Sequence, residues 1–135
     1  MRQKKCIFCQ IIVGKIPAYK IYEDDSILAF LDINPFTRGH TIITSKKHYR
    51  DIFDVPPDEV KKVILIAQRI AKMAKKKLGA KGVNFLHDSG KAGEQFIFHF
   101  HFHIIPRYLK DGLSIWPAHR CKNCNLKEIQ KKLTK

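Results

Sequence analysis

The chain has 135 residues, with 26 Lys and Arg against 12 Asp and Glu, a formal net charge of +14 with His neutral. That length suits one domain, 1–135, with a core able to stand without staples, and the longest apolar runs, 27–31 and 63–67, fall far short of the ~20 residues a transmembrane helix needs, so a soluble protein and no membrane partner are expected. The basic excess favours polyanions in general, but much of it sits at Lys61, Lys62, Arg69, Lys72, Lys75–Lys77 and Lys81, where it equally describes the wet side of a helix.

Residues 1–5 have the basic character of an export signal. Gln10 interrupts the apolar stretch that follows, however, and no small-x-small cleavage site comes after it, so a cytoplasmic location is expected. A short helix is predicted near 6–13. It carries Cys6-x-x-Cys9, a pair with zinc spacing but only half of a tetrahedral site; a redox pair is the alternative, and that would be expected beside a βαβ pattern this chain lacks. Strands are predicted at 19–23, 27–32, 41–44 and 83–86, with Asp24-Asp25 as a tight turn. Between them, Val60, Val63, Ile64, Ala67, Ile70, Ala71, Ala74 and Leu78 recur at helical spacing after Pro57, with Asp58 and Glu59 at the start and Gly79 past the end, which predicts one long amphipathic helix over 57–78.

Residues 95–107 read Q-F-I-F-H-F-H-F-H-I-I-P-R. In an extended strand, successive side chains point to opposite faces. Phe96, Phe98, Phe100 and Phe102 are therefore expected to anchor one face in a core, while His99, His101 and His103 stand in a row on the other, alternate Cα atoms about 6.5 to 7 Å apart. The wet side of a half-buried strand is the plain alternative for a single His. Three at period two point instead to chemistry, since imidazole titrates near neutrality and serves as base, nucleophile or metal ligand. Beyond the strand, Cys121-x-x-Cys124 follows His119 and is open to a second metal site, a disulfide, a Cys₄ site with the first pair, or no role. A closing helix is predicted from the capping-box spacing of Asn125 and Glu128 ahead of Leu126, Ile129 and Leu133. Together these elements indicate an α+β domain around an antiparallel sheet, with one long amphipathic helix and short N- and C-terminal helices.

The run H-F-H-F-H-I-I at 99–105 resembles the signature of the histidine-triad (HIT) family, and C-I-F-C-Q-I-I-V-G-K-I-P-A at 6–18, Y-E-D-D-S-I-L-A-F-L-D-I-N-P at 22–35, G-H-T-I-I-T-S-K-K-H at 39–48 and H-I-I-P-R-Y at 103–108 look like its successive blocks. The resemblance covers about 6–117, leaving about 118–135 as an extension. It implies a HIT-like fold and the release of a nucleoside monophosphate, most simply AMP, from nucleotide conjugates such as phosphoramidates or dinucleoside polyphosphates, by way of a covalent nucleotidyl-histidine. His101 would be the nucleophile, His103 a donor to the phosphoryl group and His40 a further active-site imidazole. Asp32 and Ile33 would hold the nucleoside, although a strand-end turn is the other reading of Asp32. Asp88, Gln95 and His103 would complete the purine-nucleotide contacts.

Resemblance to the prokaryotic members further implies one structural Zn²⁺ per chain on Cys6, Cys9, His48 and His99, and a homodimer. Two departures stand out. Phe96 occupies a place where many members offer Ser, Thr or Glu. Asp88 replaces a usual Asn, so that its charge would repel a phosphate unless Lys91 or a cation offset it. Removal of 5′-adenylate from nucleic acid, as in the aprataxin branch, and slow-turnover nucleotide binding are the competing functions; nucleic acid is not the favoured partner.

Overall fold

The computed structural model describes residues 4–134. Five strands, β1 (Lys20–Glu23), β2 (Ile27–Leu31), β3 (Thr41–Ser45), β4 (Gly82–Leu86) and β5 (His101–Arg107), form one antiparallel sheet in the order β1-β2-β3-β5-β4. Three helices accompany it, α1 (Ile7–Ile12), α2 (Pro57–Leu78) and α3 (Leu126–Leu133). This is the α+β architecture that the patterning predicts. Among the described residues no helix is long and apolar enough to cross a membrane.

The local reasons are those read from the sequence. Asp24 turns β1 into β2 by accepting the backbone N–H groups of Ser26 and Ile27, each at 2.7 Å. Helix α2 begins with Pro57 at its first position and closes on Gly79, whose φ of 74° is the left-handed cap that glycine adopts without a Cβ penalty. Asn125 caps α3 by accepting the Glu128 N–H.

Each face of the sheet has its own apolar layer. Helix α2 lays Val63, Ala67 and Ile70 against Ile27, Ala29, Ile43, Phe100 and Ile104. On the opposite face, α1 sets Phe8 and Ile11 against Leu28, Phe30 and Ile42. Strand alternation divides these sets, because neighbours such as Ile42 and Ile43 point opposite ways. The same rule sorts β5, where Ile104 joins the α2 layer while His101 and His103 face α1. Strand β5 lies inside the sheet, with His103 opposite Ile42 of β3 and Leu86 of β4, so its side chains are held from both sides.

One expectation needs correction. The Phe/His alternation does not form one strand from residue 96; β5 starts at His101. Residues Lys91–Gly93 form a 3₁₀ turn, Glu94 takes a φ of 63°, and the chain then crosses to β5 as a loop. The loop is held by backbone bonds outside the ladder, Phe100 N–H to Tyr49 O at 2.7 Å and His99 N–H to Ile97 O at 2.9 Å. Phe100 is fully buried and Phe102 packs against the same core, but Phe96 is 96% exposed and Phe98 45%. Period-two alternation requires a ladder to enforce it, and before residue 101 there is none.

Candidate active site and metal cluster

The bend that removes His99 from the strand places the triad in two different surroundings. His99 turns its ring toward α1 and the segment after β3. Its Nε2–H donates to Ser45 O at 2.7 Å, which leaves the Nδ1 lone pair directed at Cys6 Sγ (3.4 Å), Cys9 Sγ (3.6 Å) and His48 Nδ1 (3.1 Å). His48 Nδ1 also lies 3.4 Å from Cys9 Sγ. All four donor atoms fall within 4.8 Å of one another. A tetrahedral zinc with ordinary bond lengths needs S···N edges of about 3.5 Å and N···N edges of about 3.3 Å, so the donor set fits such an ion in spacing as well as in chemistry. Burial lowers the pKa of His48, and that of His99 to about 4, which keeps both imidazoles neutral as ligands must be; burial raises the Cys6 thiol, a cost that a bound cation would reverse. The Ser45 carbonyl supplies the outer hydrogen bond that orients a ligating imidazole. Cys121 and Cys124 are joined to each other as a disulfide, so the pair takes no part in this cluster and the Cys₄ alternative fails.

His101 and His103, both on β5, face a cavity of about 320 Å³ between α1, the end of β2 and the 94–97 loop. His101 Nδ1 lies 2.6 Å from His99 O. A carbonyl can only accept, so Nδ1 carries the proton and Nε2 holds the lone pair on the cavity side. Phe8 packs edge-on against the His101 ring, the centroids 5.0 Å apart, and fixes its plane. Burial lowers its pKa to about 4, so the ring is neutral at pH 7.

A second chain of hydrogen bonds sets His103. The Phe36 backbone N–H donates to His40 Nδ1 at 3.1 Å, which places the His40 proton on Nε2. That proton is donated to His103 Nδ1 at 2.8 Å, and His103 in turn keeps its own proton on Nε2, toward the cavity. Burial lowers both pKa values, partly offset by the nearby Asp32 carboxylate, 3.6 Å from His40 Nε2. His40 is therefore a buried positioning residue behind His103. Gly39 delivers it: φ is +88°, and a Cβ there would stand 2.7 Å from Leu78 Cδ1 and 3.3 Å from Pro106 Cγ.

The remaining predicted contacts separate cleanly. Asp32, Ile33 and Asp88 line the cavity with His101 and His103. Asp32 takes the turn role its sequence context allowed, Oδ1 accepting the Asn34 N–H at 2.8 Å, while the other oxygen faces His40. Gln95 stands apart from the cavity. Its amide accepts from Gly90 N–H and donates to Arg50 O and Ile97 O, so it shapes the loop instead.

The structure also brings in His87, which no motif singles out. Its Nδ1 donates to His101 O at 2.7 Å, its Nε2 meets Ser89 Oγ at 2.6 Å, and its ring stacks on Phe102 at 4.5 Å. The only signal in the sequence is its place immediately after the strand predicted at 83–86.

Two neutral imidazoles with opposite tautomers facing one cavity, beside a partly buried Cys₂His₂ cluster, carry the residues of the histidine-triad signature. The profile of the HIT domain family matches residues 13–110. The chain belongs to the HIT family. An uncharacterised HIT-like protein of Methanocaldococcus jannaschii is 44% identical over 128 residues, 95% of this chain and 98% of that protein. The adenylylsulfatase HINT3 of Arabidopsis thaliana is 41% identical over 129 residues, 93% of this chain and 62% of that protein. Among solved HIT structures, a Zn-bound histidine-triad family protein from Mycobacterium smegmatis superposes with a TM-score of 0.79 at 43% identity, over 88% of this chain and 84% of that one.

Proposed function

We propose that this HIT protein hydrolyses nucleotide conjugates at the α-phosphate and releases a nucleoside monophosphate, most simply AMP. The observation that carries the reading is the pair of tautomers. His101 presents an unprotonated Nε2 to the cavity, and His103 presents a protonated one beside it. In the first step His101 Nε2 bonds to phosphorus and the bond to the leaving group breaks, the leaving atom keeping the electron pair. In the second, water displaces the imidazole and regenerates it. His103 Nε2–H stabilises the phosphoryl oxygens as charge gathers there. Asp32 and the exposed Ile33 hold ribose and base, with Asp88 close by at the phosphate end. The Arabidopsis relative's name as an adenylylsulfatase agrees with attack on an adenylate.

The Cys6, Cys9, His48 and His99 cluster holds one structural zinc in this reading. When bound, the ion ties α1 to the entry of β5; the nucleophile is then steadied from its own backbone neighbour and from Phe8. Assembly is as a homodimer through the outer edge of β4. That edge has no strand beside it among the described residues, and Val83 and Phe85 on it are each 40% exposed.

Incubation with an adenosine 5′-phosphoramidate carrying ³²P, followed by quenching and peptide mapping, is expected to place the label on His101. His101→Ala that retains full turnover would falsify the mechanism.

A further inference from the structure

Strand β4 gives out before the residue that the hydrolase reading makes its nucleophile. Its pairing with β5 runs from Gly82 opposite Arg107 to Leu86 opposite His103, while β5 begins two residues earlier, at His101. There the main chain is met by a side chain. His87, the first residue past β4, donates its Nδ1–H to His101 O at 2.7 Å. A carbonyl only accepts, so that proton is fixed on Nδ1, and Nε2 is left to accept from Ser89 Oγ–H at 2.6 Å. Ser89 Oγ in turn accepts the Ile52 N–H at 2.9 Å. Each link thus has one direction, from the Ile52 amide to the His101 carbonyl. Phe102 stacks on the His87 ring at 4.5 Å and Phe100 leans on it at 5.3 Å, which sets its plane. The far end is anchored as well, because Tyr49 O accepts the Phe100 N–H and Arg50 O accepts from Gln95 Nε2, both at 2.7 Å.

We infer that His87 is a positioning residue for His101: it holds the carbonyl at the first residue of β5 and so sets the line along which Nε2 meets phosphorus. This rests on the hydrolase reading above and adds a residue to its machinery. The His101 ring is tied to the backbone twice, through its own Cα and through Nδ1–H to His99 O at 2.6 Å. Both ties shift if residues 99–101 fray, and the ends of elements are where local opening costs least. His87 closes that end from outside the ladder. Displacement at phosphorus is sensitive to such movement, since a misplacement of about 1 Å costs on the order of a hundredfold. His87 is not part of the cavity wall, so it touches no substrate and its effect passes through His101.

The test pairs His87→Leu, which removes both hydrogen bonds but keeps an apolar side chain against Phe100 and Phe102, with His87→Asn, whose amide N–H can take the place of Nδ1–H. In single-turnover reactions with an adenosine 5′-phosphoramidate, His87→Leu is expected to slow labelling of His101 by about tenfold or more with the half-saturating substrate concentration unchanged, and His87→Asn to recover most of the rate. Ser89→Ala, which leaves Nδ1–H in place without its guide, should fall between them, and it carries the same readouts if His87→Leu does not fold. A second measurement needs no turnover: amide hydrogen exchange over 99–103, followed by mass spectrometry, should quicken severalfold in His87→Leu and return in His87→Asn, with exchange in α2 unchanged. Wild-type labelling in His87→Leu, a loss carried by half-saturation, His87→Asn no better than His87→Leu, or exchange over 99–103 that stays the same or quickens equally in α2 would overturn the inference and leave the hydrolase standing. No label on the wild-type protein would overturn the hydrolase reading, while the exchange rates still decide whether His87 holds His101.

Discussion

At the residue scale, each triad imidazole is set by a different partner, and pH reports on them. His101 sits in the fold with its pKa lowered to about 4 by burial, against an unfolded value near 6.5. The lone pair is therefore available across the neutral range, and kcat/KM is expected to climb as pH rises through about 4 and then to stay level toward pH 7. The same shift governs stability. Between about pH 6.5 and 4 the unfolded chain binds protons that the folded one refuses, so stability is complete above this window and is lost as pH falls through it, by up to about 1.4 kcal/mol per unit for such a group. Urea titrations at pH 7 and pH 5 would check the sign; a protein more stable at pH 5 would contradict it. Gly39→Ala tests the delivery of His40. A left-handed φ together with a 2.7 Å clash predicts a loss above about 1 kcal/mol and a lower turnover. The triad imidazoles were legible in the sequence because HφHφH is periodic. The tautomers were not, since they depend on Phe36 N–H and His99 O, main-chain groups that carry no letter of their own. His87 was hidden for the same reason, its partner being the His101 carbonyl.

At the scale of elements, the six residues of α1 are too few to hold a helix by propensity alone. Packing and the cluster must do it. Phe8 is 3% exposed against Phe30, His99 and His101, so Phe8→Ala is expected to cost about 3–5 kcal/mol and to loosen the His101 ring with it. Cys9→Ser, or exhaustive chelation, should lower the thermal midpoint and release the first dozen residues to proteolysis; a midpoint unchanged by both would leave the cluster without a structural role. At the far end of β5, Arg107 forms a two-pronged pair with Asp111 at 2.8 Å and 2.8 Å and bonds Asn84 across the sheet, which holds the Asp111 carboxyl well below the usual range. Arg107→Lys, which cannot make the fork, is therefore expected to destabilise. Helix α2 could be read from its apolar period and Gly79 because both are local. The start of β5 could not, because strand pairing is decided by a partner distant in sequence, and nothing in Phe96 or Phe98 says that β3 ends short of them.

For the whole molecule, the cavity of His101 and His103 carries no lysine or arginine among its described lining residues, so a nucleic-acid end finds no basic lead to the imidazoles, and retention on DNA is expected to be weak and to vanish with moderate salt. The edge of β4, unpaired among the described residues, predicts a dimer whose mass by light scattering halves in Phe85→Glu; a wild-type monomer at micromolar concentration would remove the proposed assembly. One detail of the entry to β5 reaches furthest. Position 99 steadies the His101 ring with its peptide oxygen and faces the cysteine cluster with its own ring. Because only the main chain is needed for the first task, the side chain there could drift during descent, gaining or losing its affinity for an ion, while the chemistry two residues away went on unchanged.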